Sequence, residues 1–326
     1  MENRCLIIVS TPLQVLCAIS AICHFKINKY DLIFLSANDR CERINGQGIG
    51  ILLFMGIPYK KMILSRSGFF SFLMCGNRYS DIYVGDYFFE YQGLFAAMGA
   101  DKNAKITFLD DGNSSYLITL RSARRFFLRD TTFVRRFIVY SLTRMLFLLK
   151  NTSYTNLYTL FNVKRVQGWK IVPNNLECFR CNITSERQEG VFIIGTAISI
   201  FPNEDADYIK YLSAIVDYCR MKYPQEPIFY CPHRTSRFSE RYNEFAAKLN
   251  LNIFNTEYTI EFDFLNRGVN PRFVIGFASS ALYFLKKLYP ESMVSSIFFE
   301  SKRKYRKDYL VIRERYSELI NYVRVV

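Results

Sequence analysis

Three short polar clusters carry side chains able to act on a substrate. Asp110-Asp111-Gly112 offers two carboxylates, Pro232-His233-Arg234 sets an imidazole beside a guanidinium, and Ser279-Ser280 places two hydroxyls before an apolar helical run. A carboxylate in such a loop can serve as a general base or hold Mg²⁺. Strand neighbours face opposite sides, so one of Asp110 and Asp111 can reach a ligand while the other anchors the loop. Gly112 lets the backbone turn sharply and approach a ligand closely. The plain alternative is an ordinary Asp-Asp-Gly turn. His233 can give hydrogen bonds and a proton to a leaving phosphate, and Arg234 beside it favours an anion. The chain's other histidine, His24, follows an apolar helical run and reads as a helix-end residue near the last carbonyls. Ser279 and Ser280 suit an N-cap, and a helix N-terminus also binds phosphate, so both roles can hold together.

The clusters are useful only if strands and helices bring them to one edge. Apolar runs at 5–9, 32–36, 81–85 and 106–109 read as strands, and a second series follows at 191–195, 228–231, 273–277 and 295–299. Helices are expected near 206–221, 239–249 and 280–288. This alternation implies parallel βαβ units. The polar stretch 182–190 separates the two series. Two domains are therefore expected, residues 1–185 and 186–326, with a last helix packing back on the first. Ligands of such sheets gather at the carboxyl ends of strands, where all three clusters fall.

Composition narrows the class. Half of the 326 residues are hydrophobic and 22% are charged, which excludes disordered, collagen-like and coiled-coil chains. The 43 Lys+Arg against 29 Asp+Glu leave a net charge of +14, which attracts nucleic acid, an anionic bilayer or acidic small molecules. Nine scattered cysteines read as reduced thiols of a cytoplasmic protein. Cys178-x-x-Cys181 lacks a second such pair, and two histidines leave a structural zinc site short of ligands, so no metal is expected. Pro12 and Gln14 break the N-terminal apolar run, which reads as strand, turn and helix rather than a signal peptide. In the apolar stretch 133–150, Arg135, Arg136 and Arg144 argue against spanning a bilayer, since each costs about 2.5–3.5 kcal/mol at its centre. Lying on an anionic membrane stays open. There Arg121, Arg124, Arg125, Arg129, Arg135, Arg136, Arg144 and Lys150 face only Asp130; a solvated helical face is the alternative. Gly46-Gln-Gly48-Ile-Gly50 lacks dinucleotide-binding spacing, and no Walker sequence is present.

Taken in order, Ser10-Thr11-Pro12-Leu13-Gln14, Asp110-Asp111-Gly112, Tyr230-Cys231-Pro232-His233 and Phe277-Ala278-Ser279-Ser280-Ala281-Leu282 resemble the bacterial sialyltransferases of glycosyltransferase family 52. They are similar, more distantly, to bacterial polysialyltransferases and other bacterial sialyltransferases with acidic-acidic-Gly, His-Pro and Ser-Ser motifs. The resemblance implies a GT-B fold, with two doubly wound Rossmann-type domains facing a cleft. It implies inverting, metal-independent transfer from CMP-sialic acid to a hydroxyl of a cell-surface glycan, with no cofactor. Asp111 looks like the general base, with Asp110 the second choice. His233 looks like the residue that meets the leaving phosphate, and Ser279 and Ser280 look like its cradle. Glu261 is similar to an acidic residue that contacts the ribose, and Glu257 is a competing match. Thr11, Pro12, Gln14 and Gly112 would lie on the sugar side of the donor site, and Pro232 and Arg234 beside its phosphate. Many relatives have Pro after the motif histidine where this chain has Arg234. Two alternatives stand beside this reading. One is a GT-B enzyme using another nucleotide sugar. The other is a non-catalytic membrane- or nucleic-acid-binding protein, although no RNP, zinc-finger or helix-turn-helix signature is present.

Overall fold

The computed structural model describes residues 4–36, 42–63, 78–86, 90–112, 133–163, 168–181, 186–233, 240–277 and 279–302, with 72, 76, 183, 310, 313–314, 317 and 320–324. Arg234 and the stretch from Arg121 to Asp130 lie outside the described residues, as do the side chains of Arg135 and Arg136. The chain divides into two compact units, Met1–Cys178 and Phe179–Val326.

In the first unit, the run Leu6-Ile7-Ile8-Val9 is fully buried, as a central parallel strand must be when helices cover both faces. This is β1 (Cys5–Val9), flanked by β2 (Tyr30–Ser36) and β4 (Tyr79–Val84). The parallel sheet runs β3-β2-β1-β4-β5-β6-β7, with β3 at Lys60–Ile63, β5 at Ala100–Phe108, β6 at Ser153–Thr159 and β7 at Lys170–Pro173. Strands β3, β6 and β7 escape a search for apolar runs: Lys60-Lys61 opens an edge strand, and Ser, Thr and Asn punctuate β6. The Asp110-Asp111 loop therefore follows the fifth strand, not the fourth.

Helix α1 (Pro12–His24) and α2 (Glu42–Phe54) pack together, as do α3 (Glu90–Gly99) and α4 (Phe133–Leu149). By the right-handed rule for parallel crossovers, the strand order puts the first pair on one face of the sheet and the second on the other. The run that imitates a signal peptide is α1, with Gln14 through Ala21 buried. His24 is its last residue. No helix among the described residues is long and apolar enough to cross a membrane.

The second unit holds a parallel sheet in the order β10-β9-β8-β11-β12-β13. Its strands are β8 (Gln188–Ile194), β9 (Ile228–Cys231), β10 (Asn252–Ile253), β11 (Pro271–Gly276), β12 (Met293–Ile297) and β13 (Asn321–Val323). The short helix α5 (Glu177–Arg180) spans the division between the units. Helices α6 (Glu204–Lys222), α7 (Glu240–Lys248), α8 (Ile260–Asn266) and α9 (Ser280–Leu288) follow in order. In α6, Glu204, Asp205 and Asp207 open the helix and Arg220 and Lys222 close it, matching the helix dipole at both ends. Its Tyr208 joins Phe201, Phe277 and Phe299 in the core. Most of the segment expected to pack back on the first unit lies outside the described residues. Its β13 pairs with β12 in the second sheet.

One basic residue of the 121–150 stretch has an internal task. The Lys150 ammonium donates to the carbonyls of Ala97, Met98 and Ala100, at 2.8, 2.9 and 2.6 Å, closing the end of α3. Burial, and Arg78 nearby, lower its pKa. Lys150 thus leaves the set expected at a membrane. Lys150→Met should lose about 1.5–3 kcal/mol of stability in chemical denaturation, the worth of hydrogen bonds to a charged group, and Lys150→Arg should recover part of it.

Candidate functional site

In both sheets the strand order reverses at one point, between β1 and β4 and between β8 and β11. Crevices at the carboxyl ends beside such switch points are where open α/β sheets hold ligands. The candidate residues lie at these edges, and each unit presents its own group.

In the first unit, Thr11 occupies the N-cap of α1 in extended backbone. Its hydroxyl accepts the Gln14 N–H and donates to Asp111 Oδ1, both at 3.3 Å. Gln14 turns inward and is fully buried. Its Nε2 donates to Asp111 Oδ1 at 2.7 Å. Its Oε1 accepts from the Ser10 N–H at 2.7 Å, the Ser10 hydroxyl at 3.2 Å and Gln92 Nε2 at 2.9 Å. Gln92, also fully buried, donates to Ser10 Oγ at 2.8 Å and accepts the Asp86 N–H at 2.8 Å. At the end of β4, Gly85 makes room for this network, since a Cβ there would lie 2.5 Å from Gln14 Cδ. Gln14 thus faces Asp111 with its NH₂ group and the protein interior with its oxygen. Pro12, at the first turn of α1, is buried as well.

The two aspartates part as alternation at a strand end requires. Asp110 is fully buried and accepts from the Thr159 hydroxyl at 2.7 Å and from the Leu160 N–H, tying the loop to the end of β6. Asp111 faces the other way, toward Thr11 and Gln14, and stays partly exposed. Gly112 follows with φ +64°, a conformation natural to glycine.

In the second unit, the β8 end lies against the turn after β9. The Gly195 N–H donates to the Cys231 carbonyl at 2.9 Å, and a Cβ on Gly195 would sit 2.8 Å from the His233 nitrogen. His233 is thereby held beside the switch point, partly exposed, with Pro232 buried behind it. Below, the Tyr208 and Tyr230 hydroxyls meet at 2.5 Å, and burial pushes Tyr208 up to about 12. Ser279 takes the N-cap position of α9 in extended backbone, but its side chain does not cap the helix. Its hydroxyl is buried and has no hydrogen-bond partner among the described residues. The capping role read from the sequence is therefore one of position, not of bonding. Glu261 is buried in the first turn of α8, whereas Glu257, ahead of that helix, is exposed.

Asp263, also on α8, attracts no notice in the sequence beyond an acid set between Phe262 and Phe264. It is fully buried, accepts the Tyr258 N–H at 3.1 Å on Oδ2, and leaves Oδ1 without a partner among the described residues. Burial raises its pKa from 3.8 to about 6, against the pull of backbone N–H groups at 257 and 258 and of Arg267, while Glu257 adds to the rise. Desolvation also pushes the Cys231 thiol well up, with Asp263 adding to it.

No family model matches this sequence, and no curated protein matches it. Solved structures do. An α/β-galactoside α-2,3-sialyltransferase from Photobacterium phosphoreum superposes with a TM-score of 0.55 at 11% identity, covering 99% of each chain. A 2,6-sialyltransferase from a Photobacterium species, in complex with CMP and lactose, gives 0.55 at 10% identity over 98% of this chain and 78% of that one. A UDP-GlcNAc 2-epimerase from Methanocaldococcus jannaschii gives 0.51 at 13% identity, covering 98% and 93%. The two parallel-sheet units therefore form a GT-B, Rossmann-type fold.

The raised carboxyl of Asp263 has a consequence for stability. The unfolded chain releases this proton near 3.8 and the folded chain near 6, so between those values the folded state binds more protons and stability falls as pH rises. The penalty is absent below the lower value and complete above the upper. Asp263→Asn, which removes the charge and keeps an acceptor, should stabilise the protein by up to about 3 kcal/mol above pH ~7 and change little at pH ~4. Thermal denaturation of both proteins across that range is the measurement.

Proposed function

We propose that this chain is an inverting glycosyltransferase that moves sialic acid from CMP-sialic acid to a hydroxyl of a cell-surface glycan, without a metal or other cofactor. The observation that carries the reading is the parting of the two aspartates: Asp110 is spent inside the fold, and Asp111 stands at the switch-point edge as a hydrogen-bond acceptor. An accepting carboxylate there suits a general base. Asp111 takes the proton of the acceptor hydroxyl as that oxygen bonds to the anomeric carbon. The bond from that carbon to the CMP phosphate oxygen breaks, and negative charge builds on the phosphate. His233, the Ser279 and Ser280 hydroxyls and the N–H groups opening α9 meet that charge. Inversion requires base and leaving group on opposite faces of the sugar, by analogy with inverting glycosidases. Glu261 or Glu257 takes the ribose hydroxyls, and Thr11 and Gly112 border the sugar. One structural neighbour holds CMP and lactose, a nucleotide product and a glycan of the proposed kinds. Another is named for UDP-GlcNAc, so the fold also serves other nucleotide sugars.

The test begins with the nucleotide. A ligand of the native state raises Tm, and CMP should do so where UDP and GDP do not. Turnover by Asp111→Asn should fall about 10²- to 10⁴-fold with CMP affinity kept, whereas His233→Ala should weaken CMP in calorimetric titration. Stabilisation by UDP alone would replace the donor, and normal turnover by Asp111→Asn would remove the base.

The acceptor is proposed to be lipid-linked and met at the inner face of the cytoplasmic membrane. Helix α4 supports this. Ile138, Met145, Leu148 and Leu149 are 59, 49, 80 and 74% exposed on one side of it, beside exposed Arg144. The helix carries no acidic residue. An apolar face with basic company suits an interfacial helix, and each basic residue near an anionic surface adds about 1 kcal/mol. Wild type should co-sediment with anionic vesicles at low salt and less at high salt. Met145, Leu148 and Leu149 changed together to Ser should abolish binding, and equal binding to neutral vesicles would refute the charge term.

A further inference from the structure

We infer that Gln92 is a positioning residue that acts through Gln14 to hold Asp111 as a hydrogen-bond acceptor aimed at the carboxyl edge. The inference rests on the reading of Asp111 as the base. Gln92 lies in α3, outside the family motifs, and its NH₂ group bonds Ser10 and Gln14 of the first motif. Its effect follows from the direction of each bond. The Asp86 N–H can only donate, so the atom of Gln92 that faces it must be the amide oxygen. The Gln92 NH₂ group then points at Ser10 Oγ and Gln14 Oε1. The Ser10 N–H makes the same demand of Gln14 Oε1 from the opposite side. With its oxygen claimed twice, Gln14 has only its NH₂ group to offer Asp111. Two backbone N–H groups thus fix the sense of two side-chain amides, and the second amide presents a donor to the carboxylate.

Asp110 turns to Thr159 and Leu160, and Asp86 supplies its backbone N–H. Both glutamines are fully buried, so solvent cannot replace a lost partner. Removal of the Gln92 amide leaves the Asp86 N–H unmatched and Gln14 held from one side only.

The sharpest test is Gln92→Glu beside Gln92→Ala. A protonated carboxyl at this position can still donate to Gln14 Oε1, whereas an ionised one sets two acceptors face to face. For Gln92→Glu, the ratio of its kcat/KM to wild type should fall on the order of ten- to a hundredfold as pH rises through the titration of the introduced carboxyl. For Gln92→Ala the ratio should be lowered and independent of pH. CMP affinity, assigned to the second unit, should be unchanged in both. A ratio for Gln92→Glu that does not vary with pH overturns the inference, because a merely structural loss has no reason to follow a titration. A readout independent of turnover is the side-chain NH₂ resonance of Gln14, which should shift as the carboxyl introduced in Gln92→Glu titrates. A Gln14 resonance that does not change with pH overturns the relay whichever sugar is transferred, while full activity of Asp111→Asn overturns only the reading of the base.

Discussion

The first unit is organised around two backbone N–H groups that can only donate, those of Ser10 and Asp86. They follow β1 and β4, the strands on either side of the switch point, and both aim at glutamine oxygens in a space closed to water. Turning the Gln14 amide over would set an NH₂ group against the Ser10 N–H and an oxygen against the Asp111 carboxylate. Each buried group left unpaired costs about 1–3 kcal/mol, so one orientation dominates. The sense of these bonds passes from main chain to side chain and ends on Asp111.

Several apparently unrelated residues answer to that constraint. Gly85 is glycine because any Cβ would occupy the space of the Gln14 side chain. Thr11 has two tasks with one hydroxyl, accepting the Gln14 N–H to start α1 and donating to Asp111. Asp110 draws the loop toward β6, so the next carboxylate must face the β1 side. A carboxylate held by donors from two directions keeps its orientation before a substrate arrives, which is the preorganisation that positioned catalysis requires.

Much of this plan was legible in the chain, and the illegible parts have physical reasons. Buried parallel strands are apolar runs, so β1, β2, β9 and the centre of β11 stand out, as does the helix that begins beside Pro12. The division of labour between Asp110 and Asp111 follows from strand alternation, although which residue turned inward needed Thr159 and Leu160 to decide. Strands β3, β6 and β7 carry polar residues that apolar periodicity passes over. Gln92 had no local signal: a glutamine in a helix looks solvated until its partners, about 80 positions earlier at Ser10 and Gln14, fold against it. Lys150 reads in the sequence as one more charge of a basic run, because nothing nearby shows the carbonyls at the end of α3 that it closes. Asp263 carries no signal in the sequence, and its raised pKa comes from burial that only packing creates.

The two edges also differ in how fully their polar groups are satisfied. On the first, the donors and acceptors around Asp111 are paired within the fold, which suits a group that must keep one orientation through a reaction. On the second, the Ser279 hydroxyl is buried without a partner among the described residues, and α9 begins without a side-chain cap from Ser279. A hydroxyl in that state carries a desolvation cost that a bound phosphate would relieve, and uncapped N–H groups favour the same anion. Rigidity in the first unit and unmet donor capacity in the second are the properties required of a base and of a leaving-group cradle. The proposed reaction therefore asks each edge only for what its own residues already supply.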